Sequence, residues 1–123
     1  MDDTTNALVD LRAAVAAYDS ALRADDIDTL NTCFDPEPTT SRFAERGAIR
    51  GAQQIDEMRR KQRPGIASGR VDGRADYWLI APGAAVATLE FTRSDGSRGL
   101  RTQVWKATDG GWKITHAHLS TVT

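Results

Sequence analysis

Tyr18 and Arg42 are the residues of this chain whose type and setting most directly suggest chemistry. Tyr18 interrupts an otherwise apolar series, Leu8, Leu11, Val15, Tyr18 and Leu22, whose spacing defines one face of a helix. A phenol on that face points into the domain while its hydroxyl still needs a polar partner. It is either a core tyrosine bonded to a main-chain carbonyl or a pocket residue. In a pocket it could donate to a carbonyl oxygen as negative charge builds there, or serve as a general acid. Arg42 lies in Thr40-Ser41-Arg42-Phe43, a stretch of strand character, where a guanidinium beside an aromatic ring is expected to be partly desolvated. Its planar fork suits a carboxylate; the alternative is an ion pair with Glu45 or Glu90.

Further candidates lie in the second half. His116 and His118 alternate along the last predicted strand and are expected to share a face with Ile114 and Ser120. A zinc ion needs a third ligand, and Cys33, Glu90 and Asp76 show no supporting spacing, so no metal is expected. His118 is expected to bond the substrate or Tyr18, with Ser120 beside it; a core or interface histidine is the alternative. Gln103 and Trp105 share a strand face with Arg101, whereas Leu100, Thr102 and Val104 share the other. Alternation does not say which face lines a cavity. Gln103 is a candidate substrate contact and Trp105 is placed at a dimer interface. Glu90 is a further candidate contact, with a plain surface carboxylate as the alternative. The run Arg59-Arg60-Lys61 complements the carboxyl-terminal dipole of a helix, and Arg59 could add a second anion contact near the cavity mouth. Cys33 has no base beside it in sequence and reads as a small core residue.

The elements that must position these groups can be read in order. Thr4 to Arg23 is helical, Asp25-Asp26 ends that helix and caps a shorter one carrying Ile27, Leu30 and Phe34, and Pro36 and Pro38 stop it. Thr39 to Arg50 reads as a small hairpin, and Gly51 opens a third helix closed by Pro64-Gly65. Four strands follow: Arg70 to Ile80, Ala85 to Thr92, Arg98 to Ala107 and Trp112 to about Thr121. They are separated by Pro82-Gly83, Ser94-Asp95-Gly96-Ser97 and Asp109-Gly110-Gly111. The pattern predicts one α+β domain over residues 1–123, three N-terminal helices packed on a curved antiparallel sheet.

Composition narrows the partners. Sixteen Lys and Arg against seventeen Asp and Glu leave a net charge of −1, which gives no reason to expect nucleic acid or an anionic membrane surface. One cysteine cannot form an internal disulfide, and there is no signal-like or membrane-length apolar run, so a cytoplasmic protein is expected. No phosphate-binding glycine loop or serine elbow occurs.

The order helix, helix, hairpin, helix and meander resembles the nuclear transport factor 2-like (NTF2-like) fold, shared by SnoaL-like proteins and ketosteroid isomerases. Four stretches resemble the AtzH-like family, which includes the oxalurate-catabolism protein HpxZ. They are Tyr18-Asp19-Ser20-Ala21-Leu22, Ser41-Arg42-Phe43 before Glu45, Gly51-Ala52-Gln53-Gln54-Ile55, and Thr102-Gln103-Val104-Trp105 with Trp112-Lys113-Ile114 and Ala117-His118-Leu119-Ser120. Ala44 departs from a glycine expected there, and Arg59 to Pro64 does not align cleanly.

The resemblance implies a cone-shaped homodimer and a decarboxylating amidohydrolase that acts on a small carboxylated urea. Its essential helix tyrosine and strand arginine fall on Tyr18 and Arg42. The expected activity is cofactor-independent hydrolysis of a small carboxylated urea or amide in nitrogen catabolism, with water as nucleophile. A non-catalytic protein that binds a small acid or an amidase is the alternative. A SnoaL-like isomerase or cyclase is weaker: the base of ketosteroid isomerases would fall near Arg42, which cannot be a base, and only Asp35 and Glu37 keep that route open.

Overall fold

The computed structural model describes residues 3–123. Alanines and the apolar stripe make one long helix, α1 (Asp3–Arg23), which buries Leu11, Val15, Tyr18 and Ala21. Asp25 then takes a left-handed backbone with φ 54°, and Asp26 caps α2 (Ile27–Thr32) by accepting from the Thr29 main-chain N–H at 3.2 Å. The short strands β1 (Ser41–Ala44) and β2 (Gly47–Arg50) form a hairpin that leads directly into α3 (Gly51–Lys61). Four long strands complete the chain: β3 (Val71–Ala81), β4 (Ala84–Thr92), β5 (Arg98–Thr108) and β6 (Gly111–Val122).

All six strands form one curved sheet in the order β2-β1-β6-β5-β4-β3. This corrects the expected layout in two respects. The helices are one long and two short rather than three N-terminal ones, and the sheet is not wholly antiparallel, because the hairpin ahead of α3 joins it. That hairpin covers the middle of the otherwise free edge of β6, with β1 lying parallel to it through Ser41–His116, Arg42–Ala117 and Phe43–His118. An edge strand as long as β6 would otherwise expose a row of unpaired main-chain groups.

The helices pack on the inner face of the sheet, where Leu11, Val15, Leu30, Ile55, Trp105 and Ile114 form the core. Trp105 is fully buried there, so its expected place at a dimer interface is corrected. An indole of that size fills the space between sheet and helices, and its N–H reaches the side-chain oxygen of Gln103 at 3.2 Å.

Gly99 faces Phe91 across β4 and β5, and a Cβ at Gly99 would overlap the Phe91 ring. Gly99→Ala is therefore expected to cost about 1–3 kcal/mol through overpacking, read as a lower denaturation midpoint at unchanged m-value.

Candidate functional site

A cavity of about 340 Å³ opens between the inner face of the sheet, α1, the end of α3 and the segment after it. Its wall includes Tyr18, Arg42, Arg59, Phe91, Arg101 and Gln103. Three elements bring the principal groups together. The apolar stripe of α1 carries Tyr18 inward, the pairing of β1 with β6 turns Arg42 to the inner face beside Ala117, and the last turn of α3 supplies Arg59.

Tyr18 is held among guanidinium groups. Arg59 donates from Nη2 to the Tyr18 hydroxyl oxygen at 2.5 Å and from Nη1 to the side-chain oxygen of Gln62 at 3.3 Å. The Arg59 and Arg101 guanidinium carbons lie 5.7 and 5.4 Å from the centre of the Tyr18 ring, and Phe34 meets that ring edge-on. Arg101 is neutralised by Asp19, which accepts from both of its terminal nitrogens at 2.6 and 3.1 Å and also pairs with Arg70 at 3.3 Å. Burial pulls the Arg101 pKa down, but the hydrogen bonds and charge of Asp19 outweigh it and the net shift is upward.

Arg42 and Arg59 have no such counter-ion. Among the described residues no carboxylate pairs with either, although Arg59 is only 4% exposed. Burial pushes the Arg42 pKa down from its usual value; the Tyr18 oxygen opposes that shift and the Arg59 charge adds to it. Phenol and both cations line the same cavity.

The unspent polar groups share a sign. Arg59 Nε, Arg101 Nε and the Gln103 side-chain nitrogen are buried donors without an acceptor, all on residues of the cavity wall. The one carboxylate of that wall, Asp95, accepts from the Ser97 main-chain N–H at 2.9 Å, a bond that holds its carboxyl below the usual range. A site made of donors and unpaired cations suits an acceptor-rich anion.

Of the residues expected from sequence, Tyr18, Arg42, Arg59 and Gln103 meet at this cavity. His118, Ser120 and Glu90 do not bring their side chains to it. A bulge in β6 explains the first two: Trp105 pairs with Ile114 but Val104 pairs with His116, leaving Thr115 as the extra residue. Alternation slips by one there. Ile114, Ala117 and Leu119 face inward, and His116, His118 and Ser120 face outward. The strand at His118 borders the cavity, yet its imidazole is exposed and stands 6.2 Å from the Phe43 ring on the outer face. Glu90 pairs with Arg98 at 3.3 Å on that same face. Asp35 and Glu37, which left an isomerase base open, are not on the cavity wall; Asp35 pairs with Lys106 at 2.7 Å.

Among the described residues no group of three His, Cys, Asp or Glu side chains could hold a metal ion, and no helix is long and apolar enough to cross a membrane. Sequence reasoning missed Arg101, Arg70 and Arg93 on the wall and Asp19 behind it. A detectable signal existed for Arg101, which shares strand parity with Gln103 and Trp105.

His116 carries a pH dependence. Burial, then the neighbouring His118 charge, push its pKa below 6.5, and its Nδ1 lies 2.8 Å from Ser41 Oγ. The unfolded chain therefore binds the proton more readily. Stability should be fully present above about pH 6.5 and decline as pH falls from there toward the lowered folded value. Melting curves from pH 7.5 to 5 should show the decline, and His116→Asn should remove that component.

The AtzH-like pattern matches residues 2–123. The chain belongs to the AtzH-like family. Among solved structures it is similar to a protein of unknown function from the DUF3225 family of Pectobacterium atrosepticum SCRI1043. The two are 28% identical, with a TM-score of 0.88 and coverage of 96% of this chain and 92% of that one. A cystatin-like fold protein of Burkholderia xenovorans LB400 is 26% identical at TM-score 0.88, covering 96% and 93%. An NTF-2 like protein of unknown function from Shewanella oneidensis MR-1, 16% identical at TM-score 0.77 over 90% and 96% of the chains, shares the fold. Among curated proteins there is no significant match. This AtzH-like protein therefore has an NTF2-like α+β fold.

Proposed function

We propose that this AtzH-like protein is a cofactor-independent, decarboxylating amidohydrolase-like enzyme that acts on a small carboxylated urea or amide in nitrogen catabolism. The observation that carries this reading is the pair of guanidiniums, Arg42 and Arg59, that share the cavity wall with the Tyr18 phenol and have no carboxylate partner among the described residues. Arg42 anchors the substrate carboxylate, Tyr18 donates to the reacting group, and the buried Gln103 nitrogen offers a further donor.

The cavity wall supports loss of carbon dioxide better than attack by an activated water. No strong base on it stands ready to take a proton from water: the bond from Ser97 makes the Asp95 carboxyl more acidic, and the His118 ring lies outside. Release of an N-carboxylate needs none. The C–N bond breaks with its electron pair going to nitrogen, nitrogen gains a proton, and CO2 leaves. With hydration of CO2 to bicarbonate, the net change is hydrolysis of the carbamate.

The test is CO2 release from dicarboxylated urea or a related amide. Tyr18→Phe and Arg42→Lys should each abolish turnover with melting temperature nearly unchanged. Wild-type turnover by the double variant would sink the proposal. The missing base favours a second reading, a non-catalytic small-acid or amidase-binding protein, which predicts ligand-dependent stabilisation without turnover. For quaternary structure, we propose that a second copy covers the outer sheet face carrying Trp78, Val86 and Val104. Light scattering reporting a monomer would reject that arrangement.

A further inference from the structure

We propose that Arg59 is a positioning residue that fixes the direction of the Tyr18 hydroxyl, making the phenol a donor only toward whatever occupies the cavity. The inference rests on the anion-site reading above and concerns how the phenol works within it. A guanidinium has five N–H donors and no acceptor, so the 2.5 Å contact between Arg59 Nη2 and Tyr18 Oη has one possible sense: Tyr18 accepts. No described residue accepts the Tyr18 proton in return. The phenol is buried on the helix side, and Arg59 and Arg101 stand close to its ring. The O–H is thereby left for the cavity.

Arg59 can hold this post because it is itself constrained. The residue is 4% exposed, Gln62 takes one terminal nitrogen at 3.3 Å, and the last turn of α3 fixes its stem. In the proposed reaction the Tyr18 O–H bond breaks as an N–H bond forms on the leaving nitrogen. The C–N electron pair goes to that nitrogen, CO2 departs, and the phenolate left beside the Arg59 cation regains a proton from water. A charge-assisted bond strengthens as its acceptor becomes anionic, so the contact favours the state after transfer over the state before it.

The experiment uses the full chain with Arg59→Met, Arg59→Lys, Tyr18→Phe and the Arg59→Met/Tyr18→Phe double variant. The first readout needs neither ligand nor activity. Ultraviolet resonance Raman reports whether a phenol donates or accepts, and subtraction of Tyr18→Phe isolates Tyr18 from Tyr77. An acceptor signature is expected in wild type and Arg59→Lys, and its loss in Arg59→Met. The second readout is calorimetric titration with oxamate, a carboxylate joined to an amide. Tyr18→Phe should weaken oxamate about tenfold, Arg59→Met at least about tenfold because its charge goes too, and the double variant no more than Arg59→Met alone, since the phenol bond is already lost there. Arg59→Lys should recover part of the loss and keeps the stem if the methionine variant fails to fold. Losses that multiply to about a hundredfold, or a Tyr18 Raman signature indifferent to Arg59, would overturn the inference alone. Failure of wild type to bind oxamate would overturn the anion-site reading and this inference with it.

Discussion

Arg42→Met is expected to abolish carboxylate binding while leaving the fold as stable as before or more so. Arg42 sits on the inner face of a four-residue strand, partly desolvated, with no counter-ion among the described residues. An anion held there is gripped by a partly buried cation, and truncating such a partner costs about 2 kcal/mol or more, at least about thirtyfold in affinity. The unliganded chain carries the desolvation of that cation without compensation, and methionine relieves it, for a gain of up to about 1 kcal/mol. Two measurements check this: the affinity for oxamate or a dicarboxylated urea, and the denaturation midpoint. A clear fall in stability would mean that Arg42 holds the fold together and does not await a ligand.

Asp19→Ala is expected to have the opposite signature, a large loss of stability. Asp19 is the shared counter-ion of two guanidiniums, Arg101 and Arg70, whose side chains are 7% and 6% exposed. Arg70 keeps a second partner in Asp72 at 2.8 Å, but Arg101 keeps none, and its Nε already lacks an acceptor. Removing one member of a buried pair leaves an uncompensated charge and costs about 3–5 kcal/mol. For a chain of this length that lowers Tm by about 10 °C or more. Arg101→Met added to Asp19→Ala should restore part of the loss, because it removes the orphaned cation. If the single variant melts within about 2 °C of wild type, solvent compensates Arg101 better than its burial implies.

The two substitutions separate cations awaiting a ligand from cations already satisfied, a distinction that net charge conceals. Much of the scaffold was legible. The stripe through Leu11, Val15 and Tyr18 predicted α1 almost to its ends, and the turn residues predicted the four long strands. Periodicity is a local property, and those elements are local. The parallel pairing of β1 with β6 was not legible, since no pattern within Ser41–Ala44 names its distant partner. The outward turn of His118 and Ser120 follows from the one-residue bulge at Thr115, which reverses parity without a mark in the alternation. Trp105 was misplaced for a related reason: alternation sorts residues into two faces but does not say which one meets the helices. At the cavity, the resemblance singled out Tyr18 and Arg42. The guanidinium cluster was hidden because Arg59, Arg70, Arg93 and Arg101 come from four separate stretches of the chain and converge only when the sheet curves.

The parallel join of β1 to β6 bears on how the protein is made. Ser41 and His116 are 75 residues apart in the chain. A ribosome must therefore deliver most of the polypeptide before Arg42 meets the neighbour that turns it inward. Contacts of such separation are slow to close. During synthesis the Arg42 guanidinium stays in water, and the nascent chain passes through its helical and hairpin stages before the cavity wall exists.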